Sequence, residues 1–258
     1  MNSYFARTGE HRFQPSELTG GAWATDEQHI APMTGLITHE VDRLVEARGG
    51  DGLATARISM DILGVLKLEE FELTVEVVRP GRTIELLEAV VVARGRPAVR
   101  ARVWRMAGAD TSAVAGGLPE PLPDPATLPA YEMSDVWPGG YITSIETRPA
   151  GEVRPGRGAV WVGSSATLVR DEPASPLAEW VKLVDTANGI VVRESPKEWM
   201  FPNLDLTIHL YRQPSGSWTG LDTTVTFGPD GHGLTSTALH DVHGPVGRAE
   251  QILTVRPL

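Results

Sequence analysis

Four polar residues interrupt apolar, strand-like runs toward the end of the chain: Asp205, Thr224, Thr226 and Gln251. They lie between Pro202 and Arg256, in a succession of strand-like segments joined by turns rich in Gly, Pro, Asp and His. A carboxylate, a hydroxyl and an amide that converge on one water can carry out general-base hydrolysis. The carboxylate takes the proton, and the neutral groups orient the lone pair. Side chains alternate faces along a strand, so Asp205 shares a face with Thr207, His209 and Tyr211. Leu204, Leu206, Ile208 and Leu210 occupy the other face. The competing reading of Asp205 is a carboxylate on a solvated sheet face. Gln251 is more pointed, because it shares a face with Ala249, Leu253 and Val255. A buried amide needs partners, since an unpaired one costs roughly 1–3 kcal/mol.

Residues of this kind need a scaffold, and 258 residues are enough for one large domain or two ordinary ones. The chain is 41% hydrophobic and 22% charged, with a net charge of -10. That balance argues against a nucleic-acid or anionic-membrane surface, which needs clustered cations. Cysteine is absent, so no disulfide, thiolate zinc site or Cys nucleophile is available. No apolar run approaches the roughly 20 residues of a membrane helix, and the first residues carry no apolar signal core. The expectation is a soluble, cytoplasmic protein without a metal.

The elements recur in one order. Phe5 and Phe13 anchor a short lead-in over residues 4–17, followed by Gly20, Gly21 and Trp23. Thr25 caps a helix there, or Pro32 opens it in a first turn. Met33, Leu36, Ile37, Val41, Leu44 and Val45 form its stripe, and Gly49-Gly50 end it. A meander of alternating strands runs to about residue 107. Residues 108–135 are rich in Pro, Gly and Ala without periodicity and read as a linker. A second lead-in with Trp137, Gly139 and Gly140 then precedes two strands and a helix. Ser175-Pro176 start that helix, Leu177, Trp180, Val181, Val184 and Ala187 form its stripe, and Gly189 stops it. The strands after Pro202 close the series. The chain therefore divides into 1–107, a linker at 108–135, and 136–258, an internal duplication at domain scale. Antiparallel strands with one long helix per half give the α+β class, each sheet wrapped on its helix.

This arrangement resembles a double hotdog fold, two hotdog domains on one chain. Four strings resemble the acyl-CoA thioesterase II and thioesterase-like family: WATDEQHIAPMTGLITHEVDRL, LAEWVKLVDTANGI with its Asp-x-x-Asn, NLDLTIHLYRQP, and GHGLTSTALHDVHGPVGRAEQILTVRP ending on a Gln. The resemblance implies hydrolysis of acyl-CoA or another acyl thioester, with coenzyme A entering as part of the substrate and no resident cofactor. It implies an Asp, a Thr and a Gln around the attacking water. By motif these are Asp205, Thr226 with Thr224 as the alternative, and Gln251. The start of the first helix, with His29, Met33, Gly35 and Trp23, would bind substrate, helix N–H groups polarising its carbonyl. Two departures stand out: Ile30-Ala31 follow His29 where the family often has glycines, and Leu206 follows Asp205 where it has His.

The duplication allows an asymmetry test. Aligning AVRARV with VGRAEQ places Val103 opposite Gln251, and aligning ISMDILG with DLTIHLYR places Arg57 or a neighbour opposite Asp205. The first half thus lacks the polar set, and one active site per chain is expected. Other candidates compete. His29 with Asp185 would suit a hotdog dehydratase, or Asp185 would pair within the helix layer. His240, Asp241 and His243 fit hairpin chemistry better than a metal site. Arg79, Arg82, Arg94 and Arg96 form a turn-associated basic patch that would meet coenzyme A phosphates or only solvent. A hydratase or dehydratase, a biosynthetic enzyme on a polyketide or fatty acyl intermediate, and a non-catalytic acyl-binding protein are the alternatives to the thioesterase. Exposed sheet faces leave room for a homo-oligomer.

Overall fold

The apolar stripe of the first half becomes helix α1 (Ile30–Ala47) in the computed structural model, which describes residues 2–258. The helix starts later than Thr25. The Gln28 N–H donates to the Leu66 carbonyl, and Gln28 bridges Gly20, so the chain is held extended up to His29. His29 is the N-cap, its Nδ1 accepting from the Ala31 N–H, and Pro32 fits the first turn. Gly49 and Gly50 end it at positive φ (93° and 70°), and the Gly50 N–H returns to the Val45 carbonyl.

The strands before the linker are β1 (Ser3–Gly9), β2 (Arg12–Pro15), β3 (Leu53–Ile62), β4 (Phe71–Arg79), β5 (Ile84–Ala93) and β6 (Arg96–Ala107). The lead-in is therefore the β1–β2 hairpin, with Phe5 and Phe13 buried. After the linker come α2 (Gly140–Thr143), β7 (Glu146–Pro149), β8 (Arg157–Gly163), β9 (Thr167–Val169), α3 (Pro176–Val181) and α4 (Ala187–Ile190). They are followed by β10 (Trp199–Met200), β11 (Asp205–Leu210), β12 (Thr219–Phe227), β13 (His232–Asp241), β14 (Gly244–Thr254) and β15 (Arg256–Pro257). Ser175 caps α3 through its hydroxyl, with Pro176 at the first position. The second helix is not continuous to Gly189. It breaks after Val181 into a 3-10 turn, Val184–Thr186, before α4.

Where two paired sheets were expected, thirteen strands form one continuous sheet, in the order β7-β8-β12-β13-β14-β11-β3-β6-β5-β4-β2-β1-β9. Neighbours are antiparallel except β1 and β9. The strands of the two halves meet where β11 lies against β3, Ile208 opposite Ile58. β10 and β15 make a separate small ladder. Helix α1 and the broken α3–α4 segment pack on the same core, and α1 crosses α3 at Gly35. None of the described helices is long and apolar enough to cross a membrane.

The two lead-ins meet backbone to backbone. The Tyr141 N–H donates to the Gly20 carbonyl, and Gly139 takes φ 115° with its Cα against the Gly20 and Gly21 carbonyls. Only glycine fits there. This contact sets Trp23 edge-on to Trp137, ring centroids 4.9 Å apart.

Gly35 tests the helix crossing. A Cβ at this position would stand 2.6 Å from Lys182 Cβ and 2.8 Å from the Ala178 carbonyl oxygen. Alanine in a helix interior gains roughly 1 kcal/mol over glycine by propensity. Overpacking costs roughly 1–3 kcal/mol, and a backbone oxygen cannot turn away. Gly35→Ala should lower stability by up to about 2 kcal/mol in denaturant titrations; a stabilised variant would contradict the crossing.

Candidate active site

One cavity of about 360 Å³ opens between the two halves. Its walls include Trp23 and Trp137, the start of α1 at His29 and Ile30, the loop Leu63–Leu66, and Asp185 with Asn188 and Asn203. The break in the second helix has a consequence here. It turns Asp185 inward, 4% exposed, onto two amide donors. Gln251 Nε2 and Asn203 Nδ2 each donate to Asp185 Oδ1, both at 2.8 Å. Oδ2 lies 3.6 Å from His29 Nδ1.

Burial raises the Asp185 carboxyl to about 7, with the nearby Asp205 charge adding to the rise and the two amide donors opposing it. His29 is driven the other way, to about 3, by burial alone. Its Nδ1 accepts from the Ala31 N–H at 3.1 Å, so the ring is neutral with its hydrogen on Nε2. The ring stacks on Tyr141, centroids 4.1 Å apart, and the Tyr141 hydroxyl bonds Thr186 at 2.5 Å. Of the first-turn N–H groups, which lack intrahelical partners, that of Ala31 is taken by His29 and Pro32 has none, which leaves that of Ile30. The cavity therefore has a donor-bearing helix start on one side and a poised carboxylate on the other.

The expected residues scatter. Gln251 is 1% exposed and bonded to Asp185, not to Asp205. Asp205 stays on the outward face of β11, where its Oδ1 accepts the Ile252 N–H at 2.7 Å. Its carbonyl accepts from Asn203, so Asp205 shapes the loop that brings Asn203 to Asp185. Thr224 and Thr226 point to solvent. The buried threonine is Thr235 on β13, directly opposite Gln251 on β14. Its hydroxyl lies 3.5 Å from Asn188 Oδ1. The Gln251 amide oxygen is buried without a partner among the described residues. His29 and Trp23 line the cavity. Met33 is fully buried in the core, and Gly35 makes the helix crossing, so neither reaches it.

Asp185 had a signal, the Asp-x-x-Asn of the second helix. Thr235 did not. Counting back from the Asp241–Gly244 turn puts Leu234 opposite Gln251, but a bulge near Leu239–His240 shifts the register by one. A one-residue shift exchanges the faces, so the threonine points inward and Leu234 is exposed.

The other candidates have structural partners. Asp241 accepts from Arg212 and the His243 N–H. Among the described residues no group of three His, Asp or Glu side chains is placed to hold a metal ion. Arg79 donates to the Ile84 carbonyl and Arg94 pairs with Glu69. Arg94, Arg96 and Lys67 line a cleft that shares Leu63, Gly64 and Val65 with the main cavity.

Two family profiles match the chain. One, described as the acyl-CoA thioesterase N-terminal domain, covers residues 19–106. The other, described as the acyl-CoA thioesterase C-terminal domain, covers residues 119–255. No curated protein matches. Solved structures with a similar fold include a conserved protein of unknown function with a hot dog fold from Alicyclobacillus acidocaldarius. It has TM-score 0.74 at 13% identity, over 98% of this chain and 95% of that one. The tesB protein of Mycobacterium avium subs paratuberculosis gives 0.71 at 14%, over 98% and 96%. An acyl-CoA thioesterase II, TesB2, from Mycobacterium marinum gives 0.68 at 14%, over 98% and 96%.

The carboxyl itself can be titrated. Carbon-13 NMR of labelled Asp185 should show a midpoint near 7. Gln251→Leu removes a donor to the charged form, so the midpoint should move up. Folding raises this pKa, so the folded state binds the extra proton between pH 4 and 7. The stabilising contribution is present at low pH and is lost as pH rises through 7. Asp185→Asn should flatten that part of a Tm-against-pH curve; an unchanged slope would assign it to other groups.

Proposed function

The chain belongs to the acyl-CoA thioesterase family and is a thioester hydrolase, and we propose that Asp185 is the base that activates its water. The observation that carries this is the buried carboxylate with both amide donors on Oδ1, Oδ2 being left toward the cavity. Water held at Oδ2 gives up a proton as its oxygen attacks the thioester carbonyl. The carbonyl oxygen takes the developing charge beside the Ile30 N–H at the start of α1. The C–S bond then breaks, and the proton passes from Asp185 to the departing thiolate. Thr235 and the unpartnered amide oxygen of Gln251 orient the water and the base. Coenzyme A enters as part of the substrate, its phosphates toward the cleft of Lys67, Arg94 and Arg96, in the setting of fatty acyl metabolism.

We read the continuous sheet as two hotdog halves packed side by side in one chain. The register supports this. β14 lies on β11 as β6 lies on β3, with Ala249 opposite Ile208 where Val103 is opposite Ile58. Two residues further on, Arg105 stands where Gln251 does, not Val103 as the sequence alignment suggested. Glu85 lies opposite Arg105 as Thr235 lies opposite Gln251. Arg105 is held by Asp51 at 2.6 Å, Glu85 at 2.9 Å and the Leu53 carbonyl at 2.6 Å. Asp42 faces the same guanidinium and accepts from Ser175. The first-half counterpart of the site is thus filled by a bonded ion cluster, which supports one active site per chain.

The proximity of His29 to Asp185 favours a second reading, a hydratase or dehydratase acting on a 3-hydroxyacyl thioester. Its mark would be a double-bond product rather than free thiol.

Thiol release from a series of acyl-CoAs tests the first reading. Asp185→Asn should lose about 10²–10⁴-fold in kcat, the usual contribution of a general base. Asp42→Asn should stay within about twofold, since its carboxylate touches no cavity atom in this assignment. Equal losses from both variants, or an active Asp185→Asn, would refute it.

A further inference from the structure

A second cavity lies beyond the first, on the face of β7 and β8. It too measures about 360 Å³, and Met133 and Gly189 line both cavities. Its inner wall is apolar, formed by Val136, Val160, Ile190 and Val191. The polar atoms nearest the shared wall are already engaged. The Thr147 hydroxyl donates to the Tyr131 carbonyl at 2.6 Å, and the Trp137 indole N–H donates to the Gly189 carbonyl at 2.9 Å. Arg154 also lines the cavity, but as an exposed residue; an inner wall that offers few free donors or acceptors suits an alkyl chain and disfavours a polar ligand.

The partition between the two cavities has two parts. On one side it is backbone: a Cβ at Gly189 would lie 3.1 Å from Trp137 Nε1, so no side chain projects there. On the other it is Met133, an unbranched thioether that changes rotamer readily. The segment that carries Met133 is tied down at both ends, by the Tyr131 bridge to Thr147 and by buried Trp137. The methionine side chain is therefore the part of the partition that can move while the backbone stays fixed.

We propose that the second cavity receives the tail of the acyl chain, and that Met133 gates it and sets the preferred chain length. The inference rests on the reading that the thioester carbonyl sits at Asp185. The substrate class is then medium and long unbranched acyl thioesters. Acetyl groups stop in the first cavity, and an aromatic acyl group cannot follow the passage between Met133 and Gly189. Each methylene removed from water is worth up to about fourfold in affinity, so binding rises with length for as long as the tail finds wall to cover.

The test uses the full chain and a series of non-hydrolysable S-(2-oxoalkyl) thioethers of coenzyme A, with Kd measured by calorimetry and acyl-CoA hydrolysis run in parallel. Wild type should tighten by about two- to fourfold per methylene through the medium lengths. Met133→Trp should stop tightening at medium length and bind long chains at least about tenfold more weakly, while Ile190→Trp keeps short-chain Kd and kcat/KM within about twofold. Ile190→Trp, on the inner wall, should truncate the profile at a greater length, and it serves if Met133→Trp fails to fold. A rising binding profile without hydrolysis would support the chamber and refute only the role of Asp185. Wild-type affinity that stops rising at short chains, or a folded Ile190→Trp or Met133→Trp with the wild-type profile, would overturn the proposal.

Discussion

The structure turns on one buried carboxylate. Asp185 Oδ1 receives two amide N–H groups, one from Gln251 on β14 and one from Asn203 in the loop before β11. Those donors come from different parts of the chain, so the interaction ties the broken helix, the central strands and that loop to one point. Without them a charged carboxylate at this depth would be strongly disfavoured. With them the group titrates near neutrality, where a carboxylate is both available as a base and basic enough to be useful. The interruption after Val181 follows from the same requirement, since the turn at Val184–Thr186 directs Asp185 to the donors and Thr186 to Tyr141.

The two halves show how one scaffold takes opposite solutions at matching places. In the second half, Thr235 and Gln251 are neutral, and the amide oxygen of Gln251 is left unpartnered. In the first, Glu85 and Arg105 are charged and fully engaged, with Asp51 closing the cluster. A bonded arginine leaves no lone pair for water and no vacant acceptor. Buried ion clusters of this sort hold geometry more than they add stability. The neutral, partly unpartnered polar set lies in the second half and the bonded ion cluster in the first.

Much of the architecture was legible in the sequence. The stripe from Met33 to Val45 and the Gly49-Gly50 stop define α1, and the Ser175-Pro176 start of α3 is a local signal that the structure keeps. Gln251 stood out because it is polar on an apolar face, and that depends only on strand alternation. What was not legible depended on distant parts of the chain. Asp205 looks like Asp185 in composition, and only the Ile252 N–H and the burial of the neighbouring helix break distinguish them. Thr226 and Thr224 match a motif count but lie on the outward face of β12, and the inward threonine opposite Gln251 is Thr235 on β13, where a bulge shifts the register by one. The end of the linker at 108–135 lacks periodicity and reads as a spacer, yet it supplies Met133 to the cavity walls.

The central claim is that the Asp185 carboxylate, at the pKa its burial gives it, takes the proton from the attacking water. The pH dependence of kcat/KM on a well-hydrolysed acyl-CoA addresses it most directly, because that profile reports groups of the free enzyme. Activity should rise with pH to a plateau, with an acid limb near 7. An acid limb near 4, the range of an ordinary exposed carboxylate, or a flat profile through neutrality, would contradict it.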